Sequence, residues 1–156
     1  MSLLKSLLMP VLMLFGLMIG GCSSTSVVST EVYDEISKIG ISIEKGRSEQ
    51  LYRQELQRMI SQNGVQPEAY ELRTKITSST GDNNMVMSAS FELYDQSTGE
   101  TILTHSFSSS ASIGGVSSTF GSSQAENHAQ ERLSLSLAQK TFGQLMLFFS
   151  ERQHSS

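Results

Sequence analysis

The chain holds one thiol. Cys22 is the only cysteine among 156 residues, so no disulfide can form within the chain and its soft sulfur nucleophile is left for modification. The other groups able to do chemistry are sparse. His105, His128 and His154 stand far apart, and no His, Asp, Glu or Cys pair has the spacing of metal ligands. No nucleophile–base motif is present, and Gly114-Gly115 lacks the Lys and helix start that a phosphate loop needs. These absences lead to the expectation of no catalytic residue, no metal, no cofactor and no enzymatic activity. Arg73 and Lys75 are two cations at alternate positions of one segment. They form either an ordinary solvated sheet face or a small site for phosphate-bearing lipid headgroups, a role that suits permanent charges with several donors.

The residues ahead of Cys22 give its thiol a context. Lys5 precedes an apolar run from Leu7 to Ile19, broken only by Pro10 and Gly16, and Gly20-Gly21 lead into the cysteine. This is the basic, apolar and small-residue succession of a secretory signal, and the run is shorter than the roughly 20 apolar residues of a comfortable membrane span. Ile19-Gly20-Gly21-Cys22 resembles a bacterial lipobox, in which the cysteine is acylated and the signal removed just before it. Each buried acyl CH₂ contributes about 0.8 kcal/mol, so several acyl chains hold a protein to its membrane. Ser23 stands where an Asp would retain such a protein in the inner membrane, which points to the outer one.

Residues 1–21 are thus expected to be a signal peptide and 22–35 a lipidated polar tether. Residues 36–151 form one α+β domain and 152–156 a disordered tail. The signal contains one of the 11 basic residues and none of the 15 acidic ones, so the remainder carries a net charge of about −5. With no basic stretch, nucleic acid is an unsuitable partner.

The elements that must position these groups follow from hydrophobic periodicity. Ile39, Ile41 and Ile43 alternate with polar or small residues and predict a strand. From Arg47 or Ser48 to about Gln62, Tyr52, Leu56, Met59 and Ile60 recur at helical spacing, and Asn63-Gly64 is a stop. Tyr70, Leu72, Thr74 and Ile76 predict a second strand. Met85, Met87, Ala89, Phe91 and Leu93 give the cleanest alternation of all. A fourth strand is expected from Glu100 to Ser110, with turns at Ser79–Asn83 and Asp95–Gly99. After a flexible polar stretch, Ala125, Ala129, Leu133, Leu137, Thr141, Leu145 and Phe149 predict a long helix from about Ser123 to Glu151. The order β-α-β-β-β-α implies a four-stranded, mostly antiparallel sheet with two helices packed on one face.

Two surfaces stand out in this scheme. Thr74, Thr77, Ser78, Ser88, Ser90, Thr104, Ser106 and Ser108 make a hydroxyl-rich outer face that could line up with a polar barrel lumen. Ile113, Val116 and Phe120, on the stretch before the last helix, form either a partner-binding loop or one tucked onto the core.

The segment Gly46-Arg-Ser-Glu-Gln-Leu-Tyr-Arg-Gln-Glu-Leu56 resembles the LPS-assembly lipoprotein family (LptE) in its alphaproteobacterial form. The likeness continues through Tyr70-Glu-Leu-Arg73, Ser88–Asp95 with Thr98-Gly99-Glu100, Ala111-Ser112, Ala125-Glu126, Ala129–Arg132 and Leu137-Ala138. What this resemblance implies is a partner. Members plug the lumen of the outer-membrane LPS-assembly barrel LptD, assist its folding and help deliver lipopolysaccharide to the surface. An auxiliary lipoprotein of a phospholipid/ABC-type envelope transport system has a similar small α+β design and is the alternative. A structural lipoprotein acting on peptidoglycan is a third class.

Overall fold

The structure is a computed structural model and describes residues 30–43, 45–61, 68–114 and 119–154. In chain order its elements are α1 (Thr30–Ser37), β1 (Ile39–Ile43), α2 (Arg47–Ile60), β2 (Tyr70–Thr80), β3 (Asn84–Asp95), β4 (Glu100–Ser112) and α3 (Thr119–His154). The four strands form one sheet in the order β1-β2-β3-β4. β1 runs parallel to β2, because α2 carries the chain back across the sheet between them, and the other two pairings are antiparallel hairpins. The expected α+β architecture is the one observed.

Alternation decides which face is covered. Leu72, Thr74 and Ile76 of β2 and Met85, Met87, Ala89, Phe91 and Leu93 of β3 all point to one side and are buried there. From the helices, Tyr52 and Leu56 of α2 and Leu137, Thr141 and Leu145 of α3 meet them, each fully enclosed. Burying a side chain the size of Leu, Met or Phe stabilises by about 1.5–3 kcal/mol, so this single layer dominates the energetics. Within the layer the Tyr52 hydroxyl donates to Thr141 Oγ1 at 3.0 Å, a polar clasp that ties α2 to α3 across 89 residues of chain. Burial pushes the Tyr52 pKa up and keeps the hydroxyl a donor.

The hairpin between β3 and β4 shows why its residues are needed. Asp95 accepts hydrogen bonds from the Ser97 backbone N–H and hydroxyl at 2.9 and 2.6 Å, and Gly99 closes the turn at φ 71°. A side chain there would be strained by roughly 1–2 kcal/mol.

Several boundaries differ from expectation. α1 occupies residues 30–37, six of which fall within the polar tether expected from the sequence. Val32 and Ile36, at i and i+4, insert into the core with 1% and 0% exposure. Eight residues are too few to hold a helix alone, so α1 owes its existence to packing on α3 and α2. β4 continues to Ser112, and Ile113 extends the ladder by donating its N–H to Asn83 O at 3.0 Å. α3 starts at Thr119 rather than near 123 and runs to His154, into the expected tail. Its length of 36 residues exceeds what the sheet needs, and its last turn packs beside α1 instead.

Tyr52→Phe should lower the unfolding free energy by about 1–2 kcal/mol, since it leaves a buried Thr141 hydroxyl without its partner. Urea unfolding followed by circular dichroism measures this, and an unchanged midpoint would show that the clasp contributes nothing.

Candidate functional site

Among the described residues the helices cover one face of the sheet and leave the other bare. On that bare face lie Glu71, Arg73, Lys75 and Thr77 of β2, Ser88, Ser90, Glu92 and Tyr94 of β3, and Thr104, Ser106 and Ser108 of β4. The expected hydroxyl face is therefore real, with two exceptions. Thr74 belongs to the covered side, where it is 6% exposed and its Oγ1 has no hydrogen-bond partner. Ser78 has the same parity as Thr74 and lies beyond the helices near the β2–β3 turn. Across the strands the hydroxyls pair directly: Ser88 with Ser108 and Ser90 with Ser106, both at 3.3 Å.

Arg73 and Lys75 come together as the sequence suggested, on neighbouring outward positions of β2, flanked by Ser42 of β1 and by Glu92 and Ser90 of β3. A shallow groove of about 520 Å³ runs between them and Thr104. The two cations have different surroundings. Arg73 forms an ion pair with Glu71 at 2.7 Å and lies 4.0 Å above the ring of Tyr94. The Tyr94 hydroxyl donates to Glu92 at 2.6 Å. The Arg73 hydrogen bond holds the Glu71 carboxyl below its usual pKa. This network fixes the guanidinium plane and offsets its charge, so the groove is close to neutral in sum and offers donors more than a strong anionic field. The Arg73–Tyr94 stack was missed because its register becomes known only once β2 and β3 are paired.

The other expected site residues do not converge on this face. Ile113 is 8% exposed and belongs to the core, while Phe120, on the first turn of α3, is 76% exposed. Val116 and Cys22 lie outside the described residues. His105 stacks on Phe107 with centroids 4.6 Å apart, inside an aromatic row with Phe91. Among the described residues no three His, Cys, Asp or Glu gather as a metal site, and no helix is long and apolar enough to cross a membrane.

A second depression was not foreseen at all, because it requires α1. Glu31, Asp34 and Glu35 of α1 face Tyr70 of β2 and Phe149 and Arg152 of α3. The rings of Tyr70 and Phe149 lie 5.3 Å apart, Lys38 donates to Glu35 at 2.7 Å, and the Tyr70 hydroxyl donates to Glu35 at 3.0 Å.

Against known proteins, no family model matches this chain, and no curated protein does either. Solved structures do match. A candidate lipoprotein of Caulobacter crescentus superposes with a TM-score of 0.67 at 20% identity, covering 79% of this chain and 98% of that one. A minor lipoprotein of Acinetobacter baumannii gives 0.55 at 21% identity, covering 72% and 94%. A Xanthomonas campestris protein gives 0.50 at 10% identity, covering 75% and 85%. At such identities the likeness establishes a shared fold.

Glu35 supplies a pH test. The hydrogen bond from Lys38, reinforced by that from Tyr70, lowers its pKa below 4.5 against the opposing effect of burial. Its contribution to stability is therefore present above that value and lost as pH falls through the folded-state pKa. Glu35→Gln should destabilise the protein at neutral pH, and the difference from wild type should shrink in acid. A difference that stays constant down to the acid transition would show that Glu35 is not the group responsible.

Proposed function

We propose that this chain is an outer-membrane lipoprotein, acylated at Cys22, that plugs and helps assemble the LPS-export β-barrel LptD and assists lipopolysaccharide delivery to the cell surface. The role is one of binding and assembly, not catalysis. The observation that carries it is the bare sheet face. Helices lie on one side only, and the other side presents paired serines and a donor-rich groove suited to the hydrophilic interior of a barrel. The lipobox-like residues before Cys22 and the fold shared with two lipoproteins support the anchored reading.

Arg73 and Lys75 are the donors placed to meet phosphate groups of a passing lipopolysaccharide. Of the two, Lys75 is the freer to turn toward a ligand, because the Arg73 guanidinium is already held by Glu71 and Tyr94.

Affinity purification of the full-length protein, tagged after Ser156, from detergent-solubilised outer membranes tests this reading. A stoichiometric barrel in the eluate is the expected result, and Cys22→Ser should remove the protein from the outer-membrane fraction. Recovery of inner-membrane transporter components without any barrel would overturn the plug and favour the transport auxiliary.

A further inference from the structure

β4 has no proline and no Lys, Arg, Asp or Glu between Ile102 and Ser112, although open sheet edges are normally blunted by such residues. The charge comes instead from α3. Ile113 donates its N–H inward to Asn83, and hydrogen bonds alternate along an antiparallel strand, so Ser108 turns its carbonyl outward. Lys140 Nζ donates to that carbonyl at 3.0 Å and to the Ser109 hydroxyl at 2.7 Å. An ammonium thus stands where an added strand would need the free carbonyl, and this stretch of edge is closed to backbone pairing.

Both oxygens that Lys140 binds are neutral. They fix the ammonium in place without offsetting its charge, and they use two of its three donors. Arg132, two turns earlier on α3, is exposed and has no ion-pair partner among the described residues. Arg132, Ser136 and Lys140 stand at i, i+4 and i+8 and so share one stripe of the helix. With Ser109, Ser110 and Gln139 they line a shallow groove of about 620 Å³ that no carboxylate enters. In a chain of net charge −4 this is a local positive surface. The Arg73 groove is different, because Glu71 and Glu92 stand beside its cations.

Spacing decides what fits. Arg132 and Lys140 are about 12 Å apart along the helix axis at 1.5 Å per residue. An extended chain puts alternate side chains on one face, and residues four apart lie about 13 Å from each other. A strand lying along α3 can therefore set one carboxylate on each cation, above the Ser136 hydroxyl. A barrel wall supplies this repeat, since alternate residues of each strand point into the lumen. A lipid headgroup has no such fixed repeat.

Resting on the plug reading above, we propose that the Arg132–Ser136–Lys140 stripe of α3 is a contact with the barrel wall. It takes a pair of lumen-facing Asp or Glu residues four apart on one barrel strand. The contact is side chain to side chain, and the Ser108 carbonyl stays with Lys140. Enclosure lowers the local dielectric and strengthens each charge-assisted hydrogen bond.

Photocross-linking in the full-length, anchored protein tests the contact. Gln139→p-benzoylphenylalanine puts the probe on an exposed position of the groove. Irradiation of intact envelopes should give an adduct with the barrel, and mass spectrometry should map it to a strand with acidic residues four apart. In a parallel competition, wild type and Arg132→Glu with Lys140→Glu are co-expressed under different tags. The charge-reversed copy should hold about tenfold less barrel, because like charges then face each other. Arg132→Lys keeps the charge and should hold its share. If the double reversal fails to fold, Arg132→Glu alone replaces it, since Arg132 has no internal ion pair to lose. An adduct with lipopolysaccharide or phospholipid would make the stripe a headgroup site and overturn the proposal. So would an adduct to a barrel segment without acidic residues, or an equal share for the charge-reversed copy. Recovery of the barrel without any adduct at Gln139 overturns this contact alone and leaves the plug standing. Absence of the barrel from the wild-type eluate overturns both.

Discussion

The alternating face of β3 is the constraint on which the remaining structure depends. Met85, Met87, Ala89, Phe91 and Leu93 bury fully on one side of the central strand pair, and every helix must arrange itself to cover them. Helices on one face satisfy that demand, and among the described residues nothing covers the other. The polar outer face is thus a consequence of the apolar inner one, since a one-residue shift of register would exchange them. The Ser88–Ser108 and Ser90–Ser106 pairs lock the register from outside, while Phe91 and Phe107 lock it from inside.

The same constraint explains the enclosed polar clasp between α2 and α3. α2 and α3 lie side by side over the sheet, and apolar packing alone would let them slide along each other. The Tyr52–Thr141 hydrogen bond fixes their relative height at modest net energy, because its main effect is the penalty for any arrangement that breaks it. Thr74 lies beneath the same helices with an unpartnered hydroxyl, a small cost accepted where a β-branched side chain fits the pleat.

Much of the fold was legible in the sequence because its signals are local. Period-two alternation exposed three long strands, and i, i+4 spacing exposed the two long helices. What escaped depends on contacts distant in sequence. α1 is too short to display a period, and only the core that receives Val32 and Ile36 makes it a helix. The acidic depression beside Tyr70 was hidden for the same reason, because α1 contributes three of its residues. Arg73 and Lys75 were placed correctly on one face by strand parity. Their unequal freedom was not visible, because Tyr94 comes under Arg73 only through the β2–β3 register. Ile113, read either as part of a partner-binding loop or as tucked onto the core, takes the second place, since the strand before it runs two residues further than its serines suggested.

β4 joins these themes, because its side chains and its backbone address different directions. The hydroxyls of Ser106 and Ser108 stand perpendicular to the sheet and complete the outer face, while the N–H and C=O groups of the same residues lie in its plane and form the edge. At Ser108 the edge is met from the covered side, where Lys140 Nζ donates to the carbonyl and to the Ser109 hydroxyl, so α3 reaches the same strand segment that completes the outer face.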